Sequence, residues 1–299
     1  KRLGDASAAP AVALRLTDTN SRVRNYALQA LSVLGGKECC TSVRVCLEDK
    51  DDVIRRAALS TLCTLEKREA APCFERALQD ENPWVRIQAV ECLKMVRARA
   101  SAPGVALLLK DPMPGVRKAA IGALGSLQGS TFATDIALFL EDPDFDIRRS
   151  AISSLASLKD PAGVPHLRKA VSNPDASVRR IAAESLGDRG EKSAMAQLLK
   201  LLTDPDAGVR RSSAEALGKL GDPEAMDSLI PLLRDSDESV RRATISVLGH
   251  LGYTPLAPEC LEWLRGKDPL MQYSAADALG SLRGGRVLPE LLPMLDDPD

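Results

Sequence analysis

One dipeptide, returning every 31 residues, constrains this chain more than any other feature. Val23-Arg24 recurs as Ile54-Arg55, Val85-Arg86, Val116-Arg117, Ile147-Arg148, Val178-Arg179, Val209-Arg210 and Val240-Arg241, with a degenerate ninth copy at Met271-Gln272. No insertion or deletion breaks the step. Self-similarity at a fixed period of roughly 20–50 residues marks stacked repeat architectures. A length of 299 residues would otherwise suggest two domains of about 150 residues each. The unbroken period replaces that expectation with one continuous array over 1–299. Its repeats fall at 8–38, 39–69, 70–100, 101–131, 132–162, 163–193, 194–224, 225–255 and 256–286, with partial repeats at 1–7 and 287–299.

Other columns keep the same step and define the elements. A small residue stands four after each Val: Ala27, Ala58, Ala89, Ala120, Ala151, Ala182, Ser213, Thr244 and Ala275. Leu stands eight after without exception, from Leu31 through Leu155 to Leu279. Eleven after is Leu or Val96, broken only by Arg189. Apolar residues at these spacings share one helical face. A further apolar column seven before the Val, from Leu16 to Leu264, belongs to a preceding helix. Each unit is therefore two helices, A then B. Asn or Asp three before the Val caps helix B, at Asn20, Asp51, Asn82, Asp144, Asp175, Asp206, Asp237 and Asp268. Met113 alone breaks that column. Pro at 112, 143, 174 and 205 stops helix A, and Gly35, Gly190, Gly221 and Gly252 end B helices. Aromatics are 3% of a composition that is 44% hydrophobic, so Ala, Leu and Val must build the core, which suits close-packed helices. No single unit can bury its apolar face alone, and neighbours must stack. The expected fold is all-α: an α-solenoid, a superhelical array of 31-residue helix pairs.

The pattern carries a family resemblance, cleanest over Asp204-Pro205-Asp206-Ala207-Gly208-Val209-Arg210-Arg211-Ser212-Ser213-Ala214-Glu215-Ala216-Leu217-Gly218-Lys219-Leu220-Gly221. It resembles the HEAT repeats, and among them the short PBS-lyase HEAT-like subclass, over essentially the whole chain. The resemblance implies that the Arg of each Val-Arg, from Arg24 to Arg241, bonds Asp residues of the A–B turns and is structural. It says little of function, since fold does not fix function. Leu3-Gly4-Asp5 matches the end of a preceding B helix, and 287–299 matches helix A of a tenth unit. Neither end shows the polar cap that a solenoid normally needs, so a longer array or larger protein is expected.

Catalytic chemistry finds little to stand on. His166 and His250 lie in non-adjacent repeats. The His-Glu pairs that hold iron in the deoxyhypusine hydroxylases, relatives on this fold, are absent. No phosphate loop, HExxH or GxSxG occurs. Seven cysteines in an odd, unpatterned set fit reduced thiols in a cytoplasmic protein. No metal and no cofactor is expected. A net charge of −1 and scarce aromatics disfavour nucleic acid, including the cleft of HEAT-like DNA glycosylases. No apolar run of about 18 residues could span a membrane. Trp263 falls in a core column, whereas Trp84, at the entry to its B helix, is a candidate exposed side chain.

Two surface features remain. Two after each Val lies a basic ladder: Arg56, Lys118, Arg149, Arg180, Arg211 and Arg242. In HEAT arrays the B helices line the concave side, so this column is expected on or beside that face. Glu184 and Glu215 stand four after Arg180 and Arg211 and should neutralise them. Arg56, Lys118, Arg149 and Arg242 have no such acid and are expected to stay unpaired along the helix. A second candidate is an inter-repeat ridge of Lys67, Arg68, Arg97 and Arg99. The function expected is a non-enzymatic protein-interaction scaffold or adaptor, binding an acidic or phosphorylated partner segment on the concave B-helix face. The alternative is an accessory subunit of a protein-modifying enzyme of the bilin-lyase type, which would need a chromophore or partner site that no residue pattern identifies.

Overall fold

The computed structural model describes residues 6–282 apart from Gln128, Lys159 and Asp160. The preceding-helix end at Leu3-Gly4-Asp5 and the tenth-unit helix at 287–299 lie outside these residues. The described residues form helices, turns and no strand. The fold is an α-solenoid. The chain divides into two compact units between Gly163 and Val164, next to the expected junction of the fifth and sixth repeats.

The first unit holds five A/B pairs: α1 (Ala9–Ala13) with α2 (Ser21–Leu34), α3 (Cys40–Val45) with α4 (Asp52–Leu65), α5 (Ala71–Ala77) with α6 (Pro83–Met95), α7 (Ala102–Leu107) with α8 (Pro114–Ser126), and α9 (Ala133–Ala137) with α10 (Phe145–Ser157). The second holds four: α11 (Val164–Ala170) with α12 (Ala176–Asp188), α13 (Met195–Leu201) with α14 (Ala207–Leu220), α15 (Met226–Leu229) with α16 (Glu238–His250), and α17 (Ala257–Leu264) with α18 (Pro269–Ser281). The A helices are short, and several tighten into 3-10 turns before the A–B corner, as at Leu14–Thr17 and Leu108–Lys110.

Each B helix starts where the sequence places a cap. The side chains of Asn20, Asp51, Asn82, Asp144, Asp175, Asp206, Asp237 and Asp268 all accept from first-turn amides. Such a cap contributes about 1 kcal/mol. Met113 sits in the same extended conformation with nothing to offer. The Leu column is the core: Leu31, Leu62, Leu93, Leu124, Leu155, Leu186, Leu217 and Leu248 are wholly enclosed. Two of the hydroxyls seven after the Val are satisfied by the previous repeat, whereas Ser185 donates to Ile181 O of its own helix at 2.6 Å. Thr61 Oγ1 donates to Leu28 O at 3.1 Å and Ser154 Oγ to Ile121 O at 2.7 Å. Trp263, expected in the core, is only half-buried.

The conserved-register Arg ties neighbouring repeats together. Arg24 forks onto Asp49, Arg55 onto Asp80, and Arg86 onto Asp111 in the first unit; Arg179 onto Asp204 and Arg210 onto Asp235 in the second. The same guanidinium donates to a carbonyl of its own A–B turn, as Arg55 does to Asp49 O. Planar, bidentate geometry suits Arg to this task. Burial works against the charge of Asp49, but the fork from Arg24 and the Asp51 amide hold its carboxyl below the ordinary value. The Arg210 fork, working against burial, holds Asp235 down likewise. Arg241 finds Gly266 in the Asp column and bonds only the carbonyls of Asp235 and Ser236.

Candidate functional site

The residue two after each Val is rotated about 200° round the helix from it and so leaves the A-helix side. The residue one before the next Val stands beside it. A Cβ on Gly115 would lie 3.6 Å from Ile87, one on Gly208 3.4 Å from Arg180 Cδ, and Lys118 Nζ reaches Asp146 at 2.8 Å. By the same register Trp84 takes the place beside Arg56.

That geometry sorts the ladder. In the second unit every rung is neutralised along its own helix: Arg180 by Glu184 at 3.0 Å, Arg211 by Glu215 at 3.2 Å, and Arg242 by Glu238 at 3.2 Å. In the first unit Lys118 is paired with Asp146, and its hydrogen bond holds that carboxyl below the ordinary value. The expectation that Arg242 stays unpaired along the helix is therefore corrected, and Lys118, unpaired along its own helix as expected, is nonetheless neutralised from outside it. Arg242 finds its acid four residues earlier rather than later, and Lys118 finds one on the next repeat. Arg56 and Arg149 have no ion pair among the described residues. The Arg56 Nε is enclosed without a hydrogen-bond partner there. Trp84, on the same helix face, is 53% exposed.

Lys67, Arg68, Arg97 and Arg99 are all exposed. Lys67 and Arg97 hold left-handed backbone, with φ of 54° and 53°, beyond the ends of α4 and α6, where other repeats use Gly. Nearby acids are taken by other cations: Glu66 by Arg44 at 2.5 Å and Glu69 by Lys37 at 3.1 Å. The four ridge cations have no ion pair among the described residues.

Sequence reasoning missed an apolar column nine before the Val. Leu14, Val45, Leu107 and Leu138 are 68–76% exposed on the A helices of the first unit. Arg76 interrupts them and pairs with Glu48. The second unit has Lys169, Lys200, Pro231 and Glu262 at the same register. The signal was the 31-residue step itself, read for a column that packing does not require. Clefts of about 630 and 390 Å³ flank α5, the first reaching Arg76 and Cys73 and the second reaching Leu107 and Gly104.

His250 Nδ1 lies 2.7 Å from Ser246 O, an ordinary helix contact. No cluster of three metal-ligating side chains occurs among the described residues, and none of their helices is long and apolar enough to cross a membrane.

A family model for HEAT repeats matches residues 41–111, 77–135, 102–184, 164–239 and 226–299. The chain belongs to the HEAT repeat family. No curated protein matches it in sequence. Among solved structures, Kap121p is similar at a TM-score of 0.65 and 12% identity, over 97% of this chain and 39% of that one. The karyopherin Kap121p bound to the extreme C-terminus of the protein phosphatase Cdc14p is similar at 0.63 and 13%, over 98% and 40%. The chain thus spans about two fifths of the karyopherin. The YibA protein of E. coli is similar at 0.58 and 18%, over 83% and 95%. The CpcE–CpcF complex of phycocyanin lyase from Nostoc sp. PCC7120 aligns at only 0.46 and 21%, over 81% and 94%. At these identities the likeness is one of fold.

Proposed function

We propose that this chain is a non-enzymatic scaffold that binds an acidic or phosphorylated segment of a protein partner on the B-helix face of its first unit. The observation that carries the reading is the pairing pattern. The second unit neutralises all three of its ladder cations, whereas in the first Arg56 and Arg149 stand outside any ion pair among the described residues and Trp84 is half-exposed beside Arg56. Trp and Arg are the side chains that dominate binding energy at protein interfaces. A related fold holding the C-terminus of another protein supports an extended polypeptide as the ligand. Reduced cysteines, six of them in the first unit, support a cytoplasmic home.

The test is a titration of synthetic acidic and phosphorylated peptides, each with one apolar residue, followed by tryptophan emission. Binding should shift the Trp84 signal and weaken with salt. Arg56→Glu with Arg149→Glu should abolish it with the fold intact by circular dichroism. A second reading is favoured by the four exposed, acid-free cations of the ridge. If the ladder variant binds normally while charge reversal at Lys67, Arg68, Arg97 and Arg99 abolishes binding, the ridge is the site. If neither matters, no acidic segment is recognised on these surfaces.

A further inference from the structure

Successive B helices touch most closely where the residue nine after one Val meets the residue seven after the next. The second unit shows how close. A Cβ built on Gly187 would stand 2.7 Å from Ala216 Cβ, one on Gly249 2.7 Å from Ala278 Cβ, and one on Gly218 2.8 Å from a methyl of Val247. In the first unit a Cβ on Gly125 would stand 2.8 Å from Ser154 Cα. Between α4 and α6 this contact is made by two cysteines, Cys63 and Cys92. A disulfide needs Cβ atoms about 3.5–4.5 Å apart on facing elements, and this register places the two cysteines at facing positions of neighbouring helices.

We propose that Cys63 and Cys92 are an oxidisable pair, closed by hydrogen peroxide into a disulfide that ties the second repeat to the third. The two sulfurs differ in setting. Cys63 is 5% exposed, and its sulfur lies 3.5 Å from the thioether of Met95, an exposed side chain at the end of α6. Cys92 is 1% exposed, with its sulfur 3.7 Å from Leu59 O, and accepts from Gln88 Nε2 at 3.5 Å. A hydrogen bond from Cys92 holds the Cys63 thiol below its ordinary value, and the same contact, with burial, pushes Cys92 up. Cys63, the less enclosed sulfur and the one beside exposed Met95, is the attacking sulfur and Cys92 the resolving one. The Cys63 thiolate attacks one peroxide oxygen; the O–O bond breaks, hydroxide leaves and takes up the thiol's proton as water, and Cys63 becomes a sulfenic acid. The Cys92 sulfur then attacks the Cys63 sulfur. The S–S bond forms, the S–O bond breaks, and the hydroxyl departs as a second water with the proton from Cys92. Two thiols give up two electrons to one peroxide, and a peroxide is small enough to enter where a bulky disulfide is not. The bond would fix the spacing of α4 and α6, the helices that carry Arg56 and Trp84, whether or not a partner binds there.

The full chain, under native conditions, is treated with a small excess of hydrogen peroxide, alkylated and mapped without reduction. The expected product has lost the mass of two hydrogens and yields one peptide pair joined through Cys63 and Cys92, reversed by a thiol reductant. Cys92→Ala should instead leave a dimedone-trappable sulfenic acid at Cys63, and Cys63→Ala should leave Cys92 unmodified. Should either variant fail to fold, the cross-link map of the native chain decides alone. A product oxidised only at half-buried Cys73, a bond between other cysteines or between chains, or cross-linking seen only after denaturation would overturn the proposal.

Discussion

The two units are built from one repeat and differ in what they leave on the surface. Of the twelve large apolar side chains that stand exposed among the described residues, ten belong to the first unit; Leu270 and Tyr273, both on α18, are the others. Six of the seven cysteines are in the first unit. Its second and third repeats end their B helices with Lys67 and Arg97 in left-handed backbone, where the second unit uses Gly190, Gly221 and Gly252. The second unit follows its own consensus closely, down to Arg–Glu pairs one helical turn apart. The scaffold is thus satisfied by the plain pattern, and each departure in the first unit needs another reason.

If the difference is confined to the surface, interior substitutions should cost the same in both units. The largest effect is expected from the Arg forks. Arg55→Ala and Arg210→Ala each leave a largely buried carboxylate, on Asp80 and on Asp235, without its partner. The cost should be roughly 3–5 kcal/mol in either unit, read from denaturant midpoints with two probes, since an array need not unfold in two states. A loss under ~1 kcal/mol in one unit only would mean that the units are held together by different forces. Acid should reach the same bonds. Asp49, Asp204 and Asp235 are all depressed in the folded chain. Their stabilisation is complete above the unfolded value, about 3.9, and is lost as pH falls through the lower folded values. Both units should therefore weaken below about pH 4; equal stability at pH 3 and pH 6 would show that the forks contribute nothing.

Next in size is Leu155→Ala, expected to cost about 2–5 kcal/mol, with Leu217→Ala in the second unit as its equivalent. Both side chains are fully enclosed in the invariant column. These residues also mark how far the sequence could be read. Caps and the Leu column repeat at one offset eight or nine times over, and the Arg–Asp pairing six times, so each is visible in the sequence. Pairings that occur once are not. Lys118 meets Asp146 across 28 residues, Arg242 turns back to Glu238, and Cys63 meets Cys92 only because two helices touch there. A search forward along one helix cannot see contacts made backward or between helices. The exposed apolar column escaped for the opposite reason. Leu14, Val45, Leu107 and Leu138 keep the period perfectly, but an apolar residue in register reads as core until its exposure is known.

A smaller effect of opposite sign is expected at the strained turns. Lys67→Gly and Arg97→Gly replace side chains that sit poorly at φ near +54°. Each should stabilise by about 0.5–1 kcal/mol, less the entropy glycine gains on unfolding. Gly190→Ala and Gly221→Ala, in the same conformation, should destabilise. If Lys67→Gly and Arg97→Gly instead lower the midpoint, these side chains make contacts that outweigh the strain.

The smallest effect concerns the apolar column. Lys169 and Lys200 hold its register in the second unit, so the repeat does not need an apolar side chain there. Leu107→Lys and Leu138→Lys should each change stability by under ~0.5 kcal/mol, as exposed substitutions generally do. The measurement should be made at two protein concentrations well apart. A cost above ~1 kcal/mol that grows with concentration would mean that these side chains are covered by a second copy of the chain, and mass action would then be supplying part of the stability. A cost that is independent of concentration would mean that the column is packed within the first unit. A neutral result at both leaves the column as surface that the fold does not use, and the contrast between the two units becomes wholly one of what each presents to other molecules.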